Sequence, residues 1–174
     1  MENVILVNER DEETGVMEKM EAHEKALLHR AFSVFIFNED GQMLLQQRAA
    51  RKYHSAGLWT NACCSHPRPG EITIDAAKRR LYEELGFETE LEKIFEFTYK
   101  ANFDNGLTEH EFDHVFIGNY NGNIKPNPNE VSDYCYKSME DVQQSLESHA
   151  HKYTVWFALA FPRILDWWKL KYAA

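Results

Sequence analysis

One amphipathic helix set between strand-like segments constrains this chain most. In EITIDAAKRRLYEELG, Ile74, Ala77, Leu81 and Leu85 recur at helical spacing, and Gly86 is a natural C-terminal stop. Before it, Val4–Val7 reads as a short strand, NERDEETG as a polar turn and Glu18 to Leu28 as a short helix. AFSVFIF and QMLLQQR, separated by NEDG, read as a hairpin over Ala31–Arg48. After it, LEKIFEFTYKANF and LTEHEFDHVFIGNY read as strands and KPNPNE as a loop. TVWFALAFPRILDWWKL reads as an apolar, aromatic helix that Pro162 kinks or splits. Strands, a helix, strands and then helices predict an α+β fold with a mixed or antiparallel sheet flanked by helices.

A length of 174 residues suits one domain spanning 1–174. No apolar run approaches the ~20 residues that span a bilayer, and MENVILVNERDEETG lacks the basic start and apolar stretch of a secretory signal. The expectation is cytoplasmic residence with no membrane partner. A formal net charge of −9 argues against nucleic acid and anionic lipid surfaces. It leaves room for a small anion held by a local basic cluster, for which Arg48, Arg51, Lys52, Arg79 and Arg80 are candidates. Taken singly, each reads as solvated surface charge.

Two groups of acids stand out. On the helix, Arg79–Glu83 and Arg80–Glu84 are spaced i, i+4 and read as salt bridges worth ~0.2–0.5 kcal/mol each. The competing account is a carboxylate site for Mg²⁺ with diphosphate oxygens. In EHE, a strand would put Glu109 and Glu111 on one face. Like charges that close need a cation, a shared proton or basic neighbours, unless an edge strand exposes them to water. His23 and His29 do not share a helix face, but they converge if a helix ends between them and His29 opens the next strand.

WTNACCSHP poses the remaining question. Adjacent cysteines bridge only with strain, no C-x-x-C pair offers a zinc clip, and three cysteines make no disulfide framework. Free thiols fit. In an extended segment neighbouring side chains point opposite ways, so at most one of Cys63 and Cys64 is catalytic.

WTNACCSHP, SHPRPGEITIDAAKRRLYEELGF and GLTEHE together resemble the type 1 isopentenyl-diphosphate isomerases of the Nudix-fold superfamily. The resemblance runs from EKMEAH to the Trp156 region. Against the general Nudix box, G-x5-E-x7-R-E-U-x-E-E-x-G-U, the chain places Ser65, Glu71, Arg79, Arg80, Leu81, Glu83, Glu84, Gly86 and Phe87. It departs at Ser65, which replaces the first glycine, and at Arg80, which replaces a carboxylate. A guanidinium there weakens metal-assisted hydrolysis and adds a diphosphate-binding cation.

The resemblance implies a Nudix-type fold and an enzyme that moves a carbon–carbon double bond, interconverting isopentenyl and dimethylallyl diphosphate for isoprenoid synthesis. It implies Cys64, Glu111, Tyr99 and Trp156 as catalytic, with Cys63 as packing. Protonation is assigned to the Glu111 side with Cys64 as a thiolate base, and the reaction being reversible, the two roles can also be exchanged. Lys19, Arg48, Lys52 and Arg80 match diphosphate contacts. His23, His29, His66, Glu109 and Glu111 match a metal site suited to Mn²⁺, Zn²⁺ or Fe²⁺, and Glu84 matches a ligand of Mg²⁺ bridging the diphosphate. Neither flavin nor NAD is expected. A small prenyl diphosphate is the expected partner, and the chain is expected to be a monomer or weak homodimer. The rivals are a Nudix hydrolase of a nucleoside diphosphate derivative and a non-catalytic metal- or diphosphate-binding module.

Overall fold

A computed structural model describes residues 1–172. In chain order the elements are β1 (Asn3–Val7), β2 (Glu13–Glu18), α1 (Lys19–Glu24), β3 (His29–Phe37), β4 (Met43–Arg48), β5 (Trp59–Thr60) and β6 (Cys63–Ser65). There follow α2 (Thr73–Leu85), β7 (Leu91–Asn102), β8 (Thr108–Asn119), β9 (Val131–Lys137), α3 (Met139–Ser148) and α4 (Val155–Tyr172). The architecture is α+β with a mixed sheet.

β3 organises that sheet. One edge pairs in parallel with β8 from His29↔Glu111 to Phe37↔Asn119. The opposite edge takes β6, antiparallel, at Phe32↔Ser65, Ser33↔Cys64 and Val34↔Cys63. Strand alternation then sorts the side chains. Phe32, Val34 and Ile36 pack with Leu44, Phe116 and the α2 residues Ala77, Leu81 and Leu85. Phe35 and Phe37 pack with Val115 and Ile117 of β8 and with Phe157, Phe161 and Ile164 of α4. The strands are therefore covered on both faces, which explains why AFSVFIF is continuously apolar rather than alternating.

Four sequence expectations change. The hairpin over Ala31–Arg48 is confined to one pair, Phe37↔Met43. Beyond it that edge of β3 takes β6 and, at His29, β1, while β4 pairs with β5 and β9. The first helix is shorter than Glu18 to Leu28. Ala26 adopts φ 55, and Val7 N–H donates to Leu28 O at 3.1 Å, drawing the chain out of the helix and into β3. The helix expected from Glu71 starts at Thr73, and Glu71 instead accepts the Arg68 N–H and both arms of Arg79. Pro162 does not split α4, which continues to Tyr172. Burial of Phe157, Phe161 and Ile164 on the sheet outweighs the ~3 kcal/mol that an interior proline costs. β2 takes up the end of NERDEETG, expected as a turn. The sequence reading assigned no element to β9 or α3, although α3 opens on Ser138, whose hydroxyl accepts the Asp141 N–H at 3.1 Å. Among the described residues no helix is long and apolar enough to cross a membrane.

α2 ends where the sequence predicts. Gly86 has φ 75, and its N–H donates to Tyr82 O at 2.8 Å. An added Cβ would lie 2.8 Å from Lys125 O, whereas at Gly70, with φ 78, it would meet nothing within 4 Å. Gly86→Ala is therefore expected to destabilise the fold by more than the ~1–2 kcal/mol of a left-handed residue alone. Gly70→Ala should stay near that figure. Urea denaturation of the two variants checks the difference.

Candidate active site

The β3–β8 register builds the site. The face that buries Phe35 and Val115 continues toward the start of both strands as Ser33, Ala31 and His29 on β3 and as Asp113, Glu111 and Glu109 on β8. The core face thus becomes polar within one strand length. Cys64 lies opposite Ser33 on this face, and Cys63, opposite Val34, points into the α2 core. Tyr99 of β7 lies opposite Glu111, and Trp156 enters from α4. Ser33, Cys64, Tyr99, Glu109, Glu111 and Trp156 line a cavity of about 410 Å³.

His23, at the end of α1, and His29, opening β3, converge with ring centroids 5.0 Å apart. Both are fully buried. Each ring is oriented by a backbone carbonyl: His23 Nδ1 donates to Lys19 O at 2.6 Å and His29 Nδ1 to Leu27 O at 2.9 Å. A carbonyl only accepts, so the Nδ1 atoms carry the protons and both Nε2 lone pairs face inward. His29 Nε2 lies 3.2 Å from His66 Nε2, and His66 Nε2 lies 2.8 Å from Glu111 Oε2. His23 Nε2 lies 3.8 Å from Glu109 Oε1 and has no hydrogen-bond partner among the described residues. Inward lone pairs, carbonyl-anchored rings and two buried carboxylates form the donor set of a divalent transition-metal centre. His23, His29 and His66 offer ligand atoms within 4.8 Å of one another.

Electrostatics agree with that donor set at His29 and His66, whereas at His23 burial is outweighed by Glu109 and the imidazole is pushed up, so that ring ligates as a cation takes over the carboxylate charge. Burial, with His66 nearby, pushes His29 down to about 3. Burial, with His23 nearby, pushes His66 down to about 3 as well, so both rings are neutral and able to ligate. Burial also acts on the paired acids. At Glu109 the imidazoles of His23 and His54 outweigh it and hold the carboxyl well below its usual range. At Glu111 burial and the Glu109 charge push the carboxyl well above it. The Tyr99 hydroxyl donates to Glu109 Oε2 at 2.9 Å and also contacts Glu111 Oε1. β8 is flanked by β3 and β7, so the solvent-exposed edge considered for EHE does not occur.

Across β3, the Trp156 indole N–H donates to Cys64 Sγ at 2.9 Å, and the thiol faces Asn61 Oδ1 at 3.1 Å. Asn61 Nδ2 is engaged by Val34 O and Cys63 O, which fixes the oxygen toward the sulfur. Burial and then Asp113 push Cys64 up to about 12. These surroundings hold a neutral thiol rather than the thiolate the sequence reading assigned.

The cavity also collects cations. Lys19, Arg48, Lys52 and Arg80 all line it, with Arg68 and Arg79. Arg48 Nε and Arg80 Nε are buried with no hydrogen-bond partner among the described residues, so an entering anion meets N–H groups not already satisfied. Glu84 stands apart from the His/Glu cluster. Its carboxylate receives Arg80 NH2 at 2.8 Å and Gln46 Nε2 at 2.9 Å, while Glu83 and Glu130 reach the cavity wall.

Sequence reasoning passed over three contributors. His54 lies 2.8 Å from Glu109 Oε1, but its loop has no periodicity that would mark it. Glu130 engages Lys52 and lies 3.3 Å from Arg80 NH2. Asp113 accepts the Ser33 hydroxyl at 2.7 Å. The alternation Glu109, Glu111, Asp113 was a usable signal for Asp113, because it continues the EHE face by one more strand step.

The sequence family described as NUDIX domain matches residues 27–157. A solved protein of Deinococcus radiodurans shares the fold with TM-score 0.77 at 21% identity, over 93% of this chain and 98% of that one. A MutT protein from Methanosarcina mazei does so with TM-score 0.65 at 21% identity, over 78% and 91%. Fold and site together define a Nudix-family protein. Curated relatives narrow this further. The isopentenyl-diphosphate Delta-isomerase of Pectobacterium atrosepticum is 53% identical over 95% of this chain and 93% of its own length. That of Serratia proteamaculans is 47% identical over 90% and 87%. The chain belongs to the isopentenyl-diphosphate Delta-isomerase family.

If the His/Glu cluster holds a metal, chelation should lower the melting temperature, since a ligand at 100 times its Kd contributes ~2.7 kcal/mol. His29→Ala should retain far less Mn²⁺ or Zn²⁺ after desalting. Elemental analysis beside chelator-titrated melting curves tests both, and a melting temperature indifferent to chelator would count against the centre.

Proposed function

We propose that this chain interconverts isopentenyl diphosphate and dimethylallyl diphosphate by proton transfer from two sides of the substrate. One observation carries the reading: Cys64 on β6 and Glu111 on β8 stand on strands pairing with opposite edges of β3, with Tyr99 one strand further out on β7 opposite Glu111, and all three line one cavity. An unactivated alkene needs an acid at its terminal carbon and a base at the neighbouring CH₂. One group on each side of a flat hydrocarbon meets that need.

In one direction a proton passes to the terminal carbon, tertiary cation character develops on the methyl-bearing carbon beside it, and a proton leaves the CH₂ on that carbon's other side to the group opposite, re-forming the double bond there. Microscopic reversibility exchanges the two roles in the other direction, so a thiol at Cys64 is a competent starting state. The Tyr99 hydroxyl bridges Glu109 and Glu111 and keeps a proton on that side. A divalent cation on His23, His29, His66, Glu109 and Glu111 would neutralise the paired acids and make that proton more acidic. Trp156, held by its N–H to Cys64 Sγ, offers an aromatic wall for the cation, worth ~2 kcal/mol when desolvated. Lys19, Arg48, Lys52 and Arg80 bind and orient the diphosphate. Mg²⁺ is proposed to accompany it, with Glu84 as the protein ligand once diphosphate draws Arg80 away and releases the carboxylate that Arg80 and Gln46 hold. The buried wall of Tyr99, Ala101 and Trp156 keeps water from the cation.

Incubation with isopentenyl diphosphate in D₂O, followed by NMR, is expected to give deuterated dimethylallyl diphosphate. Cys64→Ala and Glu111→Gln should each lower the rate by ~10²–10⁴-fold. Unchanged substrate with metal-loaded protein would sink the proposal, and release of phosphate would favour the hydrolase. Trp156→Leu should lower kcat by roughly 30-fold, the equivalent of ~2 kcal/mol, with KM little changed. Steady-state kinetics separate the two.

A further inference from the structure

We propose that His54 is a further nitrogen ligand of the metal centre, entering on the Glu109 side and completing its coordination. The inference rests on the reading of the His/Glu cluster as a metal centre.

His54 sits on the loop between β4 and β5, and its side chain is only 2% exposed. Its Nε2 lies 2.8 Å from Glu109 Oε1 but makes no aligned hydrogen bond to it or to any other described residue. His23 Nε2, likewise buried and without a partner, lies on the same carboxylate oxygen at 3.8 Å. The ligand atoms of His23, His54 and Glu109 fall within 4.8 Å of one another, forming a second triad that shares His23 with the first. Two inward imidazole nitrogens flanking one carboxylate oxygen, none of them hydrogen-bonded along the nitrogen axis, is the arrangement a cation resolves. Without one, each of these buried nitrogens is left with no aligned hydrogen bond, at a cost in desolvation.

The His54 ring is held in place. It stacks on Phe103 with centroids 4.5 Å apart at 6°, and meets Tyr53 edge-on at 4.3 Å. Arg48 NH2 donates to His54 O at 3.2 Å, and Asn105 Nδ2 donates to Tyr53 O at 2.8 Å. The loop is thus pinned on both sides of the imidazole, which has no room to turn toward water.

An ion drawing together the two triads that share His23, with Glu111 beside His66, would have four imidazoles and two carboxylates around it. Six donors rich in nitrogen suit a six-coordinate transition metal and disfavour Mg²⁺. Catalytic metal sites keep an open position, whereas structural sites are closed. A closed centre binds neither water nor diphosphate, and it acts on the reaction through the charge and acidity of Glu109 and Glu111.

The test compares wild type, His54→Ala and His54→Cys loaded with Mn²⁺ or Co²⁺. Wild type should bind Mn²⁺ with little enhancement of water-proton relaxation. His54→Ala should bind it about tenfold more weakly or worse, with enhanced relaxation as water enters the vacated position. Co²⁺ in His54→Cys should show a thiolate-to-metal charge-transfer band absent from wild type, and this gain of signal does not depend on the alanine variant folding. Weaker binding in His54→Ala with unchanged relaxation and no band in His54→Cys would make His54 a mere neighbour of Glu109 and overturn the proposal. So would unchanged affinity and relaxation. Wild type that takes up neither ion would instead overturn the metal-centre reading beneath it.

Discussion

Two carboxylates one strand step apart are buried on the same face of a central strand, and much of this molecule is arranged around that arrangement. Neither Glu109 nor Glu111 is more than 5% exposed. Side by side in a low-dielectric interior they cannot both carry uncompensated charge. Three imidazoles from α1, β3 and the segment after β6 face the pair, with a tyrosine from β7 and the His54 loop beside it. Elements far apart in sequence thereby share one electrostatic problem, and its resolution fixes where α1 must stop and β3 must begin.

The second constraint is register. β3 is read on two faces at once, one packing α2 and the other running from the α4 core into the site. A slip of one residue in the β3–β6 pairing would exchange Cys63 and Cys64, sending Cys64 into the apolar core. The large buried side chains Phe35, Phe37 and Phe157 are therefore more than stability: they hold the register that aims Ser33, Cys64, Glu111 and Asp113 at one volume.

Charge is organised locally, against the average. The chain carries a net charge of −9, yet its cavity is rimmed by lysines and arginines. Glu2 pairs with Lys19, and Glu130 with Lys52 and Arg80. These acids keep the cations ordered and partly neutralised, and an anionic ligand has to compete with them. This suits a ligand of concentrated charge, such as a diphosphate, over a diffuse polyanion.

Particular residues show how far the sequence alone reached. α2, its stop at Gly86, the long β7 and β8 strands and the same-face placement of Glu109 and Glu111 were all legible, because helical and strand periodicities act over a few residues. The opposed directions of Cys63 and Cys64 were legible for the same reason, and the conditional meeting of His23 and His29 came out as posed. Tertiary structure alone decided that β6 rather than β4 pairs with the middle of β3 while β8 runs parallel along its other edge, that EHE is buried rather than at an edge, and that Pro162 leaves α4 in one piece. It also decided which of the eight histidines reach Glu109: His54 has no local pattern to announce it, and only loop packing against Phe103 and Tyr53 brings it there. Local periodicity sets which way a side chain faces. What it faces depends on pairings between distant segments, and those are settled by the joint burial of two cores and one pair of acids.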